Sequence, residues 1–256
     1  MKSNYHIKED QNLLVICEVL EYDNIIMKRL SMFKKTNDIN INNYIHIYED
    51  KTCYSLKNKK YVVNGKLKHT DLYQLINNII SNIINDSNNL YLHSSVVEKN
   101  GNGMLILGDF NSGKTTLSIC LQERGYQILS ADQTWIENNN NNKIVMKLGS
   151  KYMEYNSAYE ILDSNSDLCS IKCIVLLSNS IGKENNFYIE NNKYRNIKNI
   201  TKYATWSTSN VLMTGYFELH LNKVEIQKFV EKINIPVICV WGDISGIIKT
   251  LEEIEL

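Results

Sequence analysis

The chain has little of several features that would assign it to a specialised class of protein. It has one proline and 11 glycines in 256 residues, and 43% of its residues are hydrophobic, which together exclude collagen-like and disordered chains. No stretch approaches the roughly 20 consecutive apolar residues of a membrane-spanning helix. Residues 1–10 lack the apolar run of a secretory signal. These absences predict a soluble, globular, cytoplasmic protein without a membrane partner.

An excess of charge of either sign is also absent. The 28 basic and 28 acidic residues give a formal net charge of zero. Because nucleic-acid-binding proteins usually carry a basic excess on one face, this balance argues against nucleic acid as a partner. The six cysteines are scattered and lack the spacing of a metal site, so we expect reduced thiols that behave as small apolar residues.

The pattern of the first 68 residues is typical of short strands. An apolar run over 12–20 and alternating residues over 39–42 and 44–48 predict extended segments. The pair Asn64-Gly65, flanked by β-prone residues, predicts a hairpin turn. Residues 1–68 are therefore predicted to form a β-rich N-terminal region.

The period of the apolar residues then changes. Leucines and isoleucines at helical spacing predict an amphipathic helix over 71–84, with Thr70 and Asp71 as candidate caps. We expect its apolar face to be buried against the α/β core, and self-association is compatible with that face but not required by it. The second domain is predicted to span residues 69–256.

The remainder of this second domain alternates between strands and helices, which predicts an α/β core. The predicted strands cover 90–98, 104–107, 126–130, 173–177, 216–221 and 235–241, and the predicted helices cover 115–124, 223–232 and 246–254.

The sharpest motif lies between a buried strand and a helix. Residues 108–115 read G-D-F-N-S-G-K-T and match the phosphate-binding pattern G-x-x-x-x-G-K-[ST]. Backbone N–H groups of such a loop surround a polyphosphate, the lysine faces its β and γ oxygens, and the threonine hydroxyl binds Mg²⁺. Asn111 stands where glycine is common, and asparagine tolerates the left-handed conformation. The residues assigned to binding ATP are Gly108, Asn111, Ser112, Gly113, Lys114, Thr115 and Thr116.

Two further residues flank this loop. His93 precedes it by one hairpin, and Asp132 follows the strand after the loop's helix. Because the carboxyl ends of parallel strands meet at one edge of a sheet, Asp132 is expected to reach the phosphates beside Lys114. There it would hold Mg²⁺, together with Thr115, or orient a nucleophile. A core histidine at 93 and a turn cap at 132 are the alternative interpretations.

About residues 70–137 resemble a known family, and the motifs that carry the resemblance lie between 92 and 132. The strand L-H-S-S-V-V-E, the glycine-containing turn, the phosphate-binding loop and E-R-G-Y-Q-I-L-S-A-D resemble the C-terminal catalytic domain of HPr kinase/phosphorylase. They are closer still to its small relatives in peptide-modification gene clusters, such as lasso-peptide precursor kinases. This resemblance implies an α/β sandwich like that of phosphoenolpyruvate carboxykinase, and phosphoryl transfer from ATP to a serine of a protein or peptide.

The resemblance also implies roles for individual residues. His93 matches the family's histidine near the transferred phosphate, and Asp132 matches the second acid of its Asp-Asp pair. The first acid, to which the family assigns the proton of the serine, is replaced by Ala131, which cannot accept a proton. The family's distal catalytic arginine has no recognisable counterpart, because Arg195 lies in a segment that reads as a polar loop and Arg124 reads as a helix C-terminus.

The sequence thus favours an ATP- and Mg²⁺-dependent phosphotransferase acting on a serine of a peptide or small protein, with Asp132 and His93 as catalytic residues. Ala131 leaves open a second interpretation, a non-catalytic ATP-binding partner of a peptide-modifying enzyme. A small-molecule kinase or a simple nucleoside triphosphatase is a third.

Overall fold

A computed structural model describes most of the chain, in two compact units. The described residues are 1–8, 11–37, 41, 43–56, 59–139, 143–155, 158–161, 168–178, 186–204 and 223–254. The predicted strand at 216–221 and most of the one at 39–42 lie outside them. The first unit comprises Met1–Asn85, and the second comprises Asp86–Thr205 together with Lys223–Leu256.

The first unit is a six-stranded sheet with two helices. Its strands follow the order β3-β1-β2-β4-β5-β6; among these described strands β2 and β4 pair in parallel, and the other neighbours pair antiparallel. The elements are β1 (Lys2–Lys8), β2 (Gln11–Cys17), α1 (Asp23–Leu30), β3 (Lys34–Lys35), β4 (Asn43–Ile47), β5 (Lys51–Leu56), β6 (Lys59–Asn64) and α2 (His69–Ile84). The β-rich character predicted for the N-terminal region is confirmed.

Helix α2 differs from the prediction in its surroundings. It packs against α1 and β1 of the first unit, and Ile76 and Ile80 are almost fully buried. The apolar face therefore covers the N-terminal sheet, whereas the sequence predicted burial against the α/β core. The division of the chain accordingly falls after Asn85, on the far side of this helix from the boundary predicted after residue 68.

The start of α2 also differs in detail. Its N-cap is Lys68, whose side chain makes no capping hydrogen bond. The candidate caps Thr70 and Asp71 lie inside the first turn instead. Asp71 can still stabilise the helix there, since a negative charge in the first turn opposes the helix dipole.

The hairpin predicted at Asn64-Gly65 is wrong. The hairpin is formed by β5 and β6, in which Leu56 pairs with Lys59. Gly65 follows β6 with a φ of +89°, and its N–H donates to the carbonyl of Asp50 at 2.6 Å. The glycine therefore ends a strand and redirects the chain towards α2; a turn signal of this kind does not specify which element follows it.

The second unit combines strands and helices, which confirms the mixed α/β class. Its elements are β7 (Asn89–Lys99), β8 (Asn102–Gly108), α3 (Lys114–Gln122), β9 (Gln127–Ser130), β10 (Gln133–Asn138), β11 (Ile144–Gly149), β12 (Tyr152–Tyr155), β13 (Ala158–Ile161), β14 (Cys169–Leu177), β15 (Asn186–Ile189), α4 (Lys193–Ala204), α5 (Lys223–Glu231), β16 (Val237–Trp241) and α6 (Ile244–Glu253). Among the residues described in both units, no helix is long and apolar enough to cross a membrane.

The main sheet of this unit is mixed in direction. Its strands follow the order β11-β10-β7-β8-β14-β16-β15, and β9 also pairs with β7. Strands β8, β14 and β16 run in parallel, whereas β7 is antiparallel to β8, β9 and β10. An additional pairing of β11 with β14 closes five of these strands into a ring.

Apolar side chains cover both faces of this sheet. Leu105 and Leu107 of β8 belong to a cluster that includes residues of α4 and α5, such as Ile200 and Phe229. The alternate residues, such as Ile106, belong to a second cluster with residues of α3 and α6. Burial on both faces explains why residues 104–107 of β8 are all apolar, as the sequence predicted.

Candidate phosphate-binding site

The predicted phosphate-binding loop connects β8 to α3, between a buried strand and the start of a helix. Asn111 has a φ of +61°, so the predicted left-handed conformation is confirmed. Gly113 is the N-cap of α3 with a φ of +93°, where a β-carbon would be strained. A Cβ on Gly108 would overlap Oγ of Ser112 and crowd Cβ of Leu177. The backbone conformation of the loop therefore favours glycine at 113, and the side chains packed beside it favour glycine at 108.

Lys114 occupies the interior of the loop. Its ammonium donates to the carbonyls of Gly108 at 2.9 Å and Asp109 at 3.0 Å, and the residue is 7% exposed. Burial lowers the pKa of Lys114 to about 8, while the negative charges of Asp132 and Asp109 act to raise it. The loop thus holds a partly desolvated cation beside its own backbone.

The first turn of α3 adds donors to the same place. The nine-residue helix begins at Lys114 with no acidic residue in its first turn and no side-chain cap on Gly113. The first N–H groups of a helix lack intrahelical partners and favour an anion. Oγ of Ser112 is buried and has no hydrogen-bond partner in the part of the chain that the structure describes. A loop with these donors fits a phosphate group.

The candidate metal ligands fit Mg²⁺ only together with a nucleotide. Thr115 and Thr116 are half-buried in the first turn of α3, and Asp132 is half-buried beyond β9. The described residues contain no group of three His, Cys, Asp or Glu side chains that could hold a metal by itself. One hydroxyl and one carboxylate are a usual protein contribution to Mg²⁺, whose other ligands are phosphates and water.

Strand β7 brings His93 and Asp132 to the edge of the sheet where the loop begins. On one side of β7, Ser94 pairs with Leu107 of β8, just before the loop. On the other side, His93 pairs with Gln133 of β10. Nδ1 of His93 lies 3.2 Å from Oδ1 of Asp132. The charge of Asp132 also acts on the pKa of Lys114. The structure therefore brings the predicted residues His93, Lys114 and Asp132 together.

The reason for this proximity differs in part from the prediction. We expected the carboxyl ends of neighbouring parallel strands to meet, but β7 lies between β8 and β9 and is antiparallel to both. Two strands that are antiparallel to the same strand run in one direction. The carboxyl ends of β8 and β9 therefore still lie at one edge, and Asp132 follows the second of them.

Ala131 lies in an apolar environment. It is 5% exposed and belongs to the same cluster as Val97 and Leu117. Its N–H donates to the carbonyl of Ser150, and its carbonyl accepts from Oγ of Ser95 at 2.7 Å. An aspartate at this position would place a carboxylate among apolar side chains, which carries a large desolvation cost. The alanine therefore suits the packing of this chain.

Each arginine of the chain has a partner away from the loop. Arg29 lies over the ring of Tyr73, and Arg124 pairs with Glu252 at 2.9 Å. Arg195 pairs with Glu190 at 3.6 Å. The expectation that Arg195 lies in a polar loop is wrong, because it lies in the first turn of α4.

Two residues of α4 that lie beside the loop were not predicted from the sequence. Lys202 forms an ion pair with the carboxylate of Asp109. Tyr203 lies near the same carboxylate, and burial, more than the charge of Asp109, raises the pKa of Tyr203. No motif surrounds either residue, and only the packing of α4 against β7 and β8 brings them to the loop.

Comparisons with known proteins give a weak similarity to solved structures. No family model matches the chain, and no curated protein matches its sequence. Among solved structures it is similar to the Hpr(Ser) kinase/phosphatase from Coxiella burnetii, with a TM-score of 0.37 and 14% identity, over 64% of this chain and 92% of that chain.

Proposed function

We propose that the second unit binds ATP with Mg²⁺ and transfers the γ-phosphoryl group to a serine of a peptide or small protein. The observation that carries this proposal is the grouping of a buried lysine, a helix N-terminus and the His93–Asp132 pair at one edge of the sheet. A site that combines a polyphosphate cradle with an adjacent carboxylate has the parts that phosphoryl transfer requires.

Each group has a distinct part in this proposal. The loop backbone and Lys114 would bind the β- and γ-phosphates. Thr115 and Asp132 would hold Mg²⁺, which would neutralise charge on the phosphates. The acceptor hydroxyl oxygen bonds to the γ-phosphorus as the bond to the ADP oxygen breaks, and its proton passes to Asp132 or to water. His93 orients the carboxylate of Asp132. Because positioning and charge neutralisation supply most of the rate in phosphoryl transfer, Ala131 does not exclude it.

A non-catalytic ATP-binding module is the second candidate. Two observations favour it: the apolar surroundings of Ala131 and the engagement of Arg29, Arg124 and Arg195 with other partners. In that case the second unit would act as a nucleotide-dependent partner of a peptide-modifying enzyme. Both candidates bind ATP at the same site. They differ in whether the γ-phosphoryl group is transferred to an acceptor.

Nucleotide binding is tested by thermal unfolding with ATP and Mg²⁺. A ligand that binds only the folded state raises the melting temperature, by about 2.7 kcal/mol of stability at a concentration 100 times its Kd. We expect Lys114→Ala to lose most of this shift, because the cation facing the phosphates is removed. The control is Lys147→Ala, which removes a lysine of β11 that is paired with Glu137 of β10. This variant should keep the shift in melting temperature. A full shift in Lys114→Ala would contradict the assignment of the loop.

Transfer is tested by mass spectrometry of candidate peptides encoded near the gene. A phosphate added to a serine in the presence of ATP and Mg²⁺ supports the kinase. If the protein binds ATP but adds no phosphate to any of these peptides, the non-catalytic module becomes the better proposal.

A further inference from the structure

The phosphate-binding loop contains one acidic residue, Asp109. Its backbone carbonyl accepts a hydrogen bond from Lys114 at 3.0 Å, and its charge acts on the pKa of Lys114, so this residue lies close to the cation that would face a phosphate. Its carboxylate is about half exposed. A negative charge there opposes the entry of a polyphosphate, because like charges repel.

Helix α4 supplies the charge that opposes this carboxylate. Lys202 forms an ion pair with Asp109, and its ammonium also lies 5.4 Å from the ring centroid of Tyr203. The neighbouring Tyr203 lies close enough to Asp109 for the charge of that carboxylate to act on its pKa. Lys202 is therefore the cation that holds this carboxylate of the loop.

The end of α4 that carries these side chains is fixed to the core. Ile200 and Ala204, on either side of Lys202 in the helix, are fully buried in the apolar cluster beneath β8. Tyr203 packs against the same cluster. The position of the lysine relative to the loop is thus set by packed side chains on both sides of it.

We propose that Lys202 is a positioning residue of the phosphate site, which cancels the charge of Asp109 and thereby sets the affinity of the loop for a polyphosphate. This inference rests on the polyphosphate binding proposed above. The affinity of the loop for a polyphosphate then depends on the packing of α4 against the sheet, since displacement of that helix would leave the charge of Asp109 unneutralised.

The test measures binding by calorimetry with ATP, ADP, AMP and inorganic tripolyphosphate, each with Mg²⁺. We expect Lys202→Gln to weaken ATP binding about three- to fivefold, the upper part of the range for a partly exposed charge pair. The loss should decrease from ATP to AMP and at high salt, because it follows the charge of the ligand. Lys202→Arg should restore affinity to within about twofold. Lys198→Gln removes an exposed lysine of the same helix and should leave affinity unchanged.

A double variant shows whether Lys202 acts by neutralising the charge of Asp109 or by contacting the ligand directly. Asp109→Asn should strengthen ATP binding about twofold, and Asp109→Asn/Lys202→Gln should return it to near the wild-type value, because both charges are then absent. A double variant as weak as Lys202→Gln would overturn the proposal, and so would equal losses for ATP and AMP, which indicate a merely structural role. Melting curves of every variant, recorded without ligand, show that each one is folded.

Failure of the proposed function gives a different result. If wild type binds tripolyphosphate but not ATP, nucleotide binding is wrong, while the same variant pattern with tripolyphosphate still supports the role of Lys202. If wild type binds none of the four ligands, both proposals are overturned.

Discussion

The buried environment of Lys114 disfavours the protonated form of its side chain. Its pKa is lowered to about 8 in the folded protein, mainly by burial, against about 10.4 for an unperturbed lysine. Below pH 8 the residue is protonated in both states and contributes no pH dependence. Between pH 8 and about 10.4 the unfolded chain binds the additional proton, so the free energy of unfolding rises with pH in that window.

This difference in pKa predicts that the free energies of unfolding of wild type and of Lys114→Met, both without nucleotide, depend differently on pH. We expect the free energy of unfolding of wild type to rise relative to that of the variant by about 2 kcal/mol between pH 7.5 and pH 10. Groups common to both proteins cancel in the comparison. Denaturant titrations at several pH values measure it, and a difference that stays constant with pH would contradict the lowered pKa.

Asp132 is the carboxylate on which phosphoryl transfer should depend. Asp132→Asn keeps the size of the side chain but removes the charge that would hold Mg²⁺ or draw the acceptor proton, and we expect a loss of about 10²–10⁴ in rate. Nucleotide binding without metal should be largely retained. His93→Ala should cost less, because His93 contacts Asp132 and has a supporting part in the proposal. Equal rates for wild type and Asp132→Asn, followed by mass spectrometry, would contradict this arrangement.

Helix α2 shows how an element can be predicted well and its neighbours poorly. The spacing of Leu75, Ile76 and Ile80 predicts both the helix and the face that is buried. It carries no information about which sheet receives that face, because any apolar surface of the chain would satisfy it. The same limit applies to Asn64-Gly65. These two residues indicate a turn but do not indicate which element follows it.

The buried face of α2 gives a prediction about folding. Ile76→Asp/Ile80→Asp places two carboxylates in an apolar interior, and we expect loss of cooperative unfolding because unpaired buried charges are very unfavourable. Circular dichroism melts and analytical ultracentrifugation measure the outcome. Asn78→Asp, at a half-buried position of the same helix, is the control and should remain folded. A cooperatively folded monomer of the double variant would contradict the burial of this face within the first unit.

The phosphate-binding loop was predicted in more detail than any other element. Its residues are contiguous, so their order alone specifies a strand, a left-handed asparagine and a helix. The contact of Lys202 with Asp109 could not be predicted, because it joins positions far apart in the chain through the packing of α4. The replacement at Ala131 was visible in the sequence, but its apolar surroundings depend on the way that β9, α3 and neighbouring strands pack together.

For the molecule as a whole, the six cysteines provide probes of both units. All are free; Cys17, Cys169, Cys173 and Cys239 are buried, and Cys53 and Cys120 are partly exposed. Burial raises the pKa of Cys173 to about 12, so its thiol is almost entirely protonated at neutral pH. Reaction of the four buried thiols with a labelling reagent therefore requires unfolding of the unit that contains them.

This arrangement predicts a site-specific effect of ligand. ATP with Mg²⁺ should slow the labelling of Cys173 and Cys239, because binding to the loop lowers the population of the unfolded second unit. Mass spectrometry of labelled peptides during heating measures each thiol separately, and Cys17 reports on the first unit in the same sample. Unchanged labelling of Cys173 and Cys239 at saturating ATP would contradict binding at the loop, and Lys114→Ala should show no protection.

The β7–β8 hairpin carries His93 on one strand and the start of the phosphate-binding loop at the end of the other. Its strands are joined by the turn at Asn100 and Gly101, so their pairing is local in sequence and closes a short loop. Local pairings form faster than those between distant segments, because less chain entropy is lost. We therefore expect the histidine and the loop to reach their relative positions early in folding, before the long-range pairing of β11 with β14 completes the ring around them.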